Sequence, residues 1–203
     1  MKSDNNSSMD ISMTTKRLET LVDGIFAIAM TLLVLGLEVP QIPYPATNTQ
    51  IIDALITMSP QFFNYILSFV FLGVFWRINH TQFHMIKKTD RSLLVINIFW
   101  LLLVALVPFS TGLIGDYGYL TVPMAFFHLN IFLIGLLYNF NWYYAVNHNF
   151  IDEKVDRNII ESQKKLNLFF PVCALISVGI AFIVPEYSFF GYFGLFFMRR
   201  IRF

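Results

Sequence analysis

Charged residues are scarce in this chain, 13% of 203, and cysteine is all but missing. The single Cys173 lies in an apolar stretch, so no intrachain disulfide can form and no thiol site is indicated. Glycine-rich phosphate loops, Walker sequences, nucleophile elbows and paired intramembrane aspartates are missing as well, which leaves no catalytic constellation for an enzyme. The first sixteen residues are polar and lack an apolar core, so no cleavable signal peptide is expected, and residues 1–15 are expected to form a disordered polar tail. Basic residues are too dispersed for a nucleic-acid surface, so no nucleic-acid partner is implied.

What the chain has instead is apolar length. It is 56% hydrophobic with 23 Phe, more apolar surface than a soluble domain of this size could hide. Crossing a hydrocarbon core of about 30 Å takes about 20 residues. Runs of this kind fall at 18–38, 55–77, 92–114, 120–145, 166–184 and, shorter than the rest, 186–198. The expected fold is an all-α integral membrane protein of six transmembrane helices, with residues 16–203 as one domain and the lipid bilayer as its environment. Polar linkers separate the spans at 39–54, 78–91, 115–119 and 146–165, and Pro40, Pro43 and Pro45 make the first an extended loop. Gly73, Gly112 and Gly135, inside spans, are expected at close helix contacts.

Threading six spans sorts the loops by charge. All 14 Lys and Arg fall on one side, while the other carries Glu38, Asp53, Asp116 and Glu186. By the positive-inside rule both termini are cytoplasmic. An odd number of spans would break this pattern, which favours keeping the short sixth.

The first span, Arg17 to Pro40, carries an acid, Asp23, within its apolar run. An intramembrane carboxylate costs roughly 2.5–3.5 kcal/mol on insertion scales, so Asp23 is not expected to face lipid. At about 100° per residue, Gly24, Ile28, Thr31, Leu32 and Leu35 form one stripe, and Asp23 points to another face. The acid Glu38 closes the span. Packing within a helix bundle would explain such a stripe equally well.

Arg17, Asp23, Ile28, Thr31, Leu32 and Leu35 give this segment its resemblance to the first helix of the transmembrane-protein-175 family of potassium channels. That family's signature is Arg-x-x-x-Phe-Ser-Asp followed by an Ile, a Thr and a Leu-rich run. Leu21 and Val22 stand where the family has Phe and Ser. The polar stretch Trp76 to His84 and the pair Asn97 and Trp100 are also similar to the family's second and third helices. The resemblance implies a homotetramer with four first helices around an axis. Ile28 would form the tightest ring, Leu32 and Leu35 further apolar rings, and Thr31 a ring of hydroxyls. Potassium and other monovalent cations would permeate, with no cofactor, and Glu38 would stand at the pore mouth. Single-repeat length resembles prokaryotic members, which implies the cell membrane. Asp23 and Arg17 are expected to bond to His80 and Asn97, with Trp76 in the same network.

Two signals point elsewhere. His80 and His84 have i, i+4 spacing but lack the Glu and third ligand of a metalloprotease helix, so no metal is expected. Tyr117-Gly118-Tyr119 has the composition of a potassium filter but neither its order nor a re-entrant loop, and reads as a turn. The alternative reading is a proton-coupled secondary transporter using Asp23 and His80, although inverted repeats and broken midplane helices are not evident.

Overall fold

The computed structural model describes residues 4–194, with side chains from Lys16 onward. Seven α-helices follow one another among them: α1 Asp4–Leu32, α2 Asn48–Thr57, α3 Ser59–Met85, α4 Arg91–Ala105, α5 Val107–Tyr117, α6 Thr121–Asn147 and α7 Arg157–Ala181. Two 3-10 segments, Leu33–Gly36 and Pro185–Phe193, complete the list. Five stretches are long and apolar enough to cross a bilayer: Lys16–Gly36, Ser59–Met85, Arg91–Tyr117, Thr121–Asn147 and Arg157–Ala181. This is an all-α membrane protein. The third stretch joins α4 to α5 through a break at Leu106, where Pro108 opens the second helix.

Two boundaries differ from the sequence reading, each for a local reason. The linker 39–54 is not extended throughout, because Thr47 and Gln50 form a capping box that starts α2. Asp156 accepts from the Asn158 N–H and starts α7 at Arg157, nine residues before the apolar run. Helix α1 begins at Asp4.

The sixth apolar run forms the 3-10 helix Pro185–Phe193; its residues 195–198 lie outside the described residues. Its geometry follows from a three-residue period: Pro185, Ser188, Gly191 and Gly194 fall on one ridge. That ridge of small residues lies on α7, where a Cβ on Gly191 would run into Ser177. Two hydrogen bonds fasten the helix to α6. The Nε2 of His128 bonds to Ser188 Oγ at 2.8 Å, and its Nδ1 to Tyr192 Oη at 3.0 Å. Ser188 Oγ donates to the Pro185 carbonyl, so Nε2 is the protonated nitrogen and Nδ1 accepts from Tyr192.

Of the three intraspan glycines, Gly135 is the one pressed by a neighbour. A Cβ there would lie 3.0 Å from Pro171 Cδ, so α6 and α7 meet where Pro171 interrupts α7. Gly73 faces Met30 at ordinary distance, and the Gly112 Cα lies 3.7 Å from where a Cβ on Gly36 would sit, so Gly112 stands at a close contact with the segment that ends α1.

The two ends of the bundle differ. At one, Ile86 bridges Ile151, the Lys87 N–H donates to the Phe150 carbonyl, and Lys87 pairs with Asp152 at 3.8 Å. There Asp90 caps α4 through the Leu93 N–H and accepts from the Tyr144 hydroxyl at 2.7 Å. Partial burial works against ionisation of Asp90. The Leu93 and Tyr144 hydrogen bonds, with His148 nearby, outweigh it and hold the pKa below its ordinary value. At the other end Asn64 donates to the Ile114 carbonyl, and Phe63 meets Phe189 edge-on. Loops rich in Lys and Arg thus gather at the first end, and Asp116 and Glu186 lie toward the second.

Candidate functional site

Helix α1 has two faces with opposite fates. Leu18, Val22, Phe26, Ala29 and Leu33 recur at helical spacing and are each 1–2% exposed. Phe26 packs its ring 5.4 Å from that of Trp100 on α4. The other face holds Gly24, Ile28, Thr31, Leu32 and Leu35, and the subunit leaves all of them uncovered. Ile28 is 56% exposed, Leu32 43% and Leu35 72%. Packing inside the subunit is therefore not what this stripe does.

Thr31 belongs to that face in a particular way. Its hydroxyl donates to the Ile28 carbonyl at 2.8 Å and to the Ala27 carbonyl at 3.0 Å. With its proton turned back onto the helix, the oxygen offers lone pairs outward, the polarity a cation needs. Beyond it α1 tightens into the 3-10 turn that carries Leu35, and Glu38 follows, exposed, in the loop.

Asp23 is bound to α3 through Trp76 and not directly through His80. Its Oδ1 accepts from Trp76 Nε1 at 2.8 Å. His80 stands one turn on, its ring stacked on Trp76 at 6.0 Å and edge-on to His84 at 4.6 Å, without a hydrogen bond to Asp23. Asn97 is committed elsewhere: it is 1% exposed and donates to the Leu93 carbonyl and to Asn141 Oδ1 at 2.9 Å. It points into the α4–α6 seam, away from α1. Arg17 is exposed, and no ion pair among the described residues joins it to Asp23. A carboxylate next to an indole N–H makes a charge-assisted bond, and that requirement selects Trp76.

Sequence reasoning missed the His128, Ser188 and Tyr192 cluster and the Asn97–Asn141 bond. The three-residue spacing of Pro185, Ser188, Gly191 and Gly194 carried a signal for the first. Nothing local pairs Asn97 with Asn141, which lie 44 residues apart. Among the described residues, no three His, Cys, Asp or Glu side chains are grouped to hold a metal.

Comparison with known proteins bears on this geometry. A family model described as endosomal/lysosomal potassium channel TMEM175 matches residues 17–108, the stretch that holds α1 from Arg17 onward, α2, α3 and α4. A protein of Chamaesiphon minutus named a potassium channel is 33% identical over 175 residues, covering 83% of this chain and 85% of its own length. The chain belongs to the TMEM175 family. A potassium channel of Streptomyces collinus is 29% identical, with 82% of each chain covered. The crystal structure of a lysosomal potassium-selective channel TMEM175 homolog from Chamaesiphon minutus superposes with a TM-score of 0.80 at 29% identity. It covers 93% of this chain and 98% of that one. Within the TMEM175 framework Asp23 and Ile28 lie on one helix, about five residues and 7.5 Å apart along its axis.

Proposed function

We propose that this chain forms a potassium-permeable cation channel, a homotetramer whose pore is lined by the open face of α1. The observation that carries the reading is that Gly24, Ile28, Thr31, Leu32 and Leu35 are the stripe its own subunit leaves bare. One α1 makes no conduit, whereas four around an axis bring four Ile28 side chains together. An apolar ring of that kind gates by dewetting, and the ion's main barrier there is dehydration. Thr31, roughly 4.5 Å further along the helix, supplies oxygens that replace part of the lost hydration. Because apolar rings hold no fixed cage of carbonyls, preference for potassium over sodium is modest. Glu38 concentrates cations at the mouth, an effect that salt screens.

The same proposal places six spans in the cell membrane with both termini cytoplasmic. The segregation of all 14 basic residues supports it. Against the proton-coupled transporter alternative stands the direct bond of Asp23 to Trp76, which gives the carboxylate an anchoring partner on α3. Purified protein in a planar bilayer tests the proposal. A channel gives ohmic, unsaturated single-channel currents with a reversal potential set mainly by potassium under bi-ionic conditions. Saturable exchange without unitary currents contradicts it.

A further inference from the structure

Asp23 has a second interaction that its own side chains do not complete. Between α1 and α3 lies a small cavity of about 10 Å³, lined by Glu19, Val22, Asp23, Trp76, Asn79, His80 and Phe83. Asn79 is 2% exposed, and its Nδ2 has no hydrogen-bond partner. An orphaned buried donor of this kind costs about 1–3 kcal/mol and calls for an occupant.

The chemistry of the walls decides which. The Asn79 amide N–H groups need an acceptor, which rejects a cation. The carboxylates of Glu19 and Asp23 need donors, which rejects an anion. Val22 and Phe83 close the rest with apolar surface. The occupant must both donate and accept, and a volume near 10 Å³ admits one molecule the size of water. The geometry points to a single bound water that accepts from Asn79 Nδ2 and donates to the Asp23 carboxylate. Asn79 is then a positioning residue. Through the water it supplements the direct Trp76 bond and fixes the rotation of α1 about its axis, five residues before Ile28. For its functional meaning this rests on the channel reading; as a site it does not.

A double-mutant cycle on the full-length protein in detergent, read as the thermal unfolding midpoint, tests the site independently of conduction. Asn79→Ala should lower the midpoint by about 2–4 °C in the native background and by less than half as much alongside Asp23→Asn, since the two act through one water. Asn79→Ser, which keeps a donor and the space, should recover part of the loss. Equal drops in both backgrounds, or a serine no better than alanine, would overturn the water. If channel currents were absent while the cycle stayed non-additive, the channel reading would fail and the water site would stand.

Discussion

The two halves of α1 are built to different ends. From Arg17 to Gly24 the helix is tied to α3: Asp23 accepts from Trp76, and Asn79 and His80 line the space beside it. From Phe26 to Gly36 one face packs through Phe26, Ala29 and Leu33, while the other, with Ile28, Thr31 and Leu35, is left exposed by its own subunit. In the proposed tetramer, polar anchoring in one half and an unclaimed apolar face in the other would let four helices be placed accurately without filling the space between them. A hydrogen bond to a charged group is worth about 1.5–3 kcal/mol and is directional, so it suits the anchor. Apolar contact has no direction, so it suits the surface that the proposal assigns to the pore.

Substitutions in the two halves should therefore fail differently. The largest effect is expected at Ile28. Replacing it with Asn puts polar groups at the constriction, so single-channel conductance should rise several-fold and discrimination should fall. If Ile28 merely packed, a buried amide would destabilise the fold and currents would drop, the opposite sign. In the anchoring half, Trp76→Phe removes the direct donor to Asp23 and should cost about 1.5–3 kcal/mol of stability. Unfolding by denaturant would show it, and ion preference in the surviving tetramers should be unchanged. Thr31→Ala sharpens the contrast, since it should weaken potassium preference in bi-ionic reversal potentials without moving stability.

Smaller effects lie outside both halves. The folded pKa of Asp90 is lowered, so its contribution is present above the ordinary carboxylate range and disappears as pH falls through the folded value. Tyr144→Phe should remove about 1 kcal/mol of that at neutral pH and little at pH 2–3, as read from unfolding midpoints across pH. Glu38→Gln should lower conductance at low ionic strength and leave it nearly unchanged at high salt; equal conductance loss at both would remove Glu38 from the mouth.

The sequence made the apolar lengths, the charge asymmetry and the stripe legible because these depend on composition and on a period of 3.6 residues. Val22 and Phe26 versus Ile28 and Leu35 separate cleanly on a helical wheel, and the structure keeps that separation. Partner choice was less legible. Asp23 needed a donor within reach, and Trp76, His80 and Asn97 were all plausible until the docking of α3 on α1 selected Trp76. Asn97 went to Asn141 because α4 turns that face toward α6. The 3-10 form of the sixth segment was not read, although Ser188, Gly191 and Gly194 carried its period.

The central claim is that Ile28 lines a shared axis. The chain's one thiol, Cys173, is 4% exposed and faces the subunit core, so an engineered cysteine can be read against a quiet background. Silver ion applied to Ile28→Cys channels in a planar bilayer should abolish current, because four thiols at the constriction would hold the metal in the ion's path. Val22→Cys, on the buried face, should be unaffected. An intact Ile28→Cys tetramer that conducts and ignores silver would contradict the account.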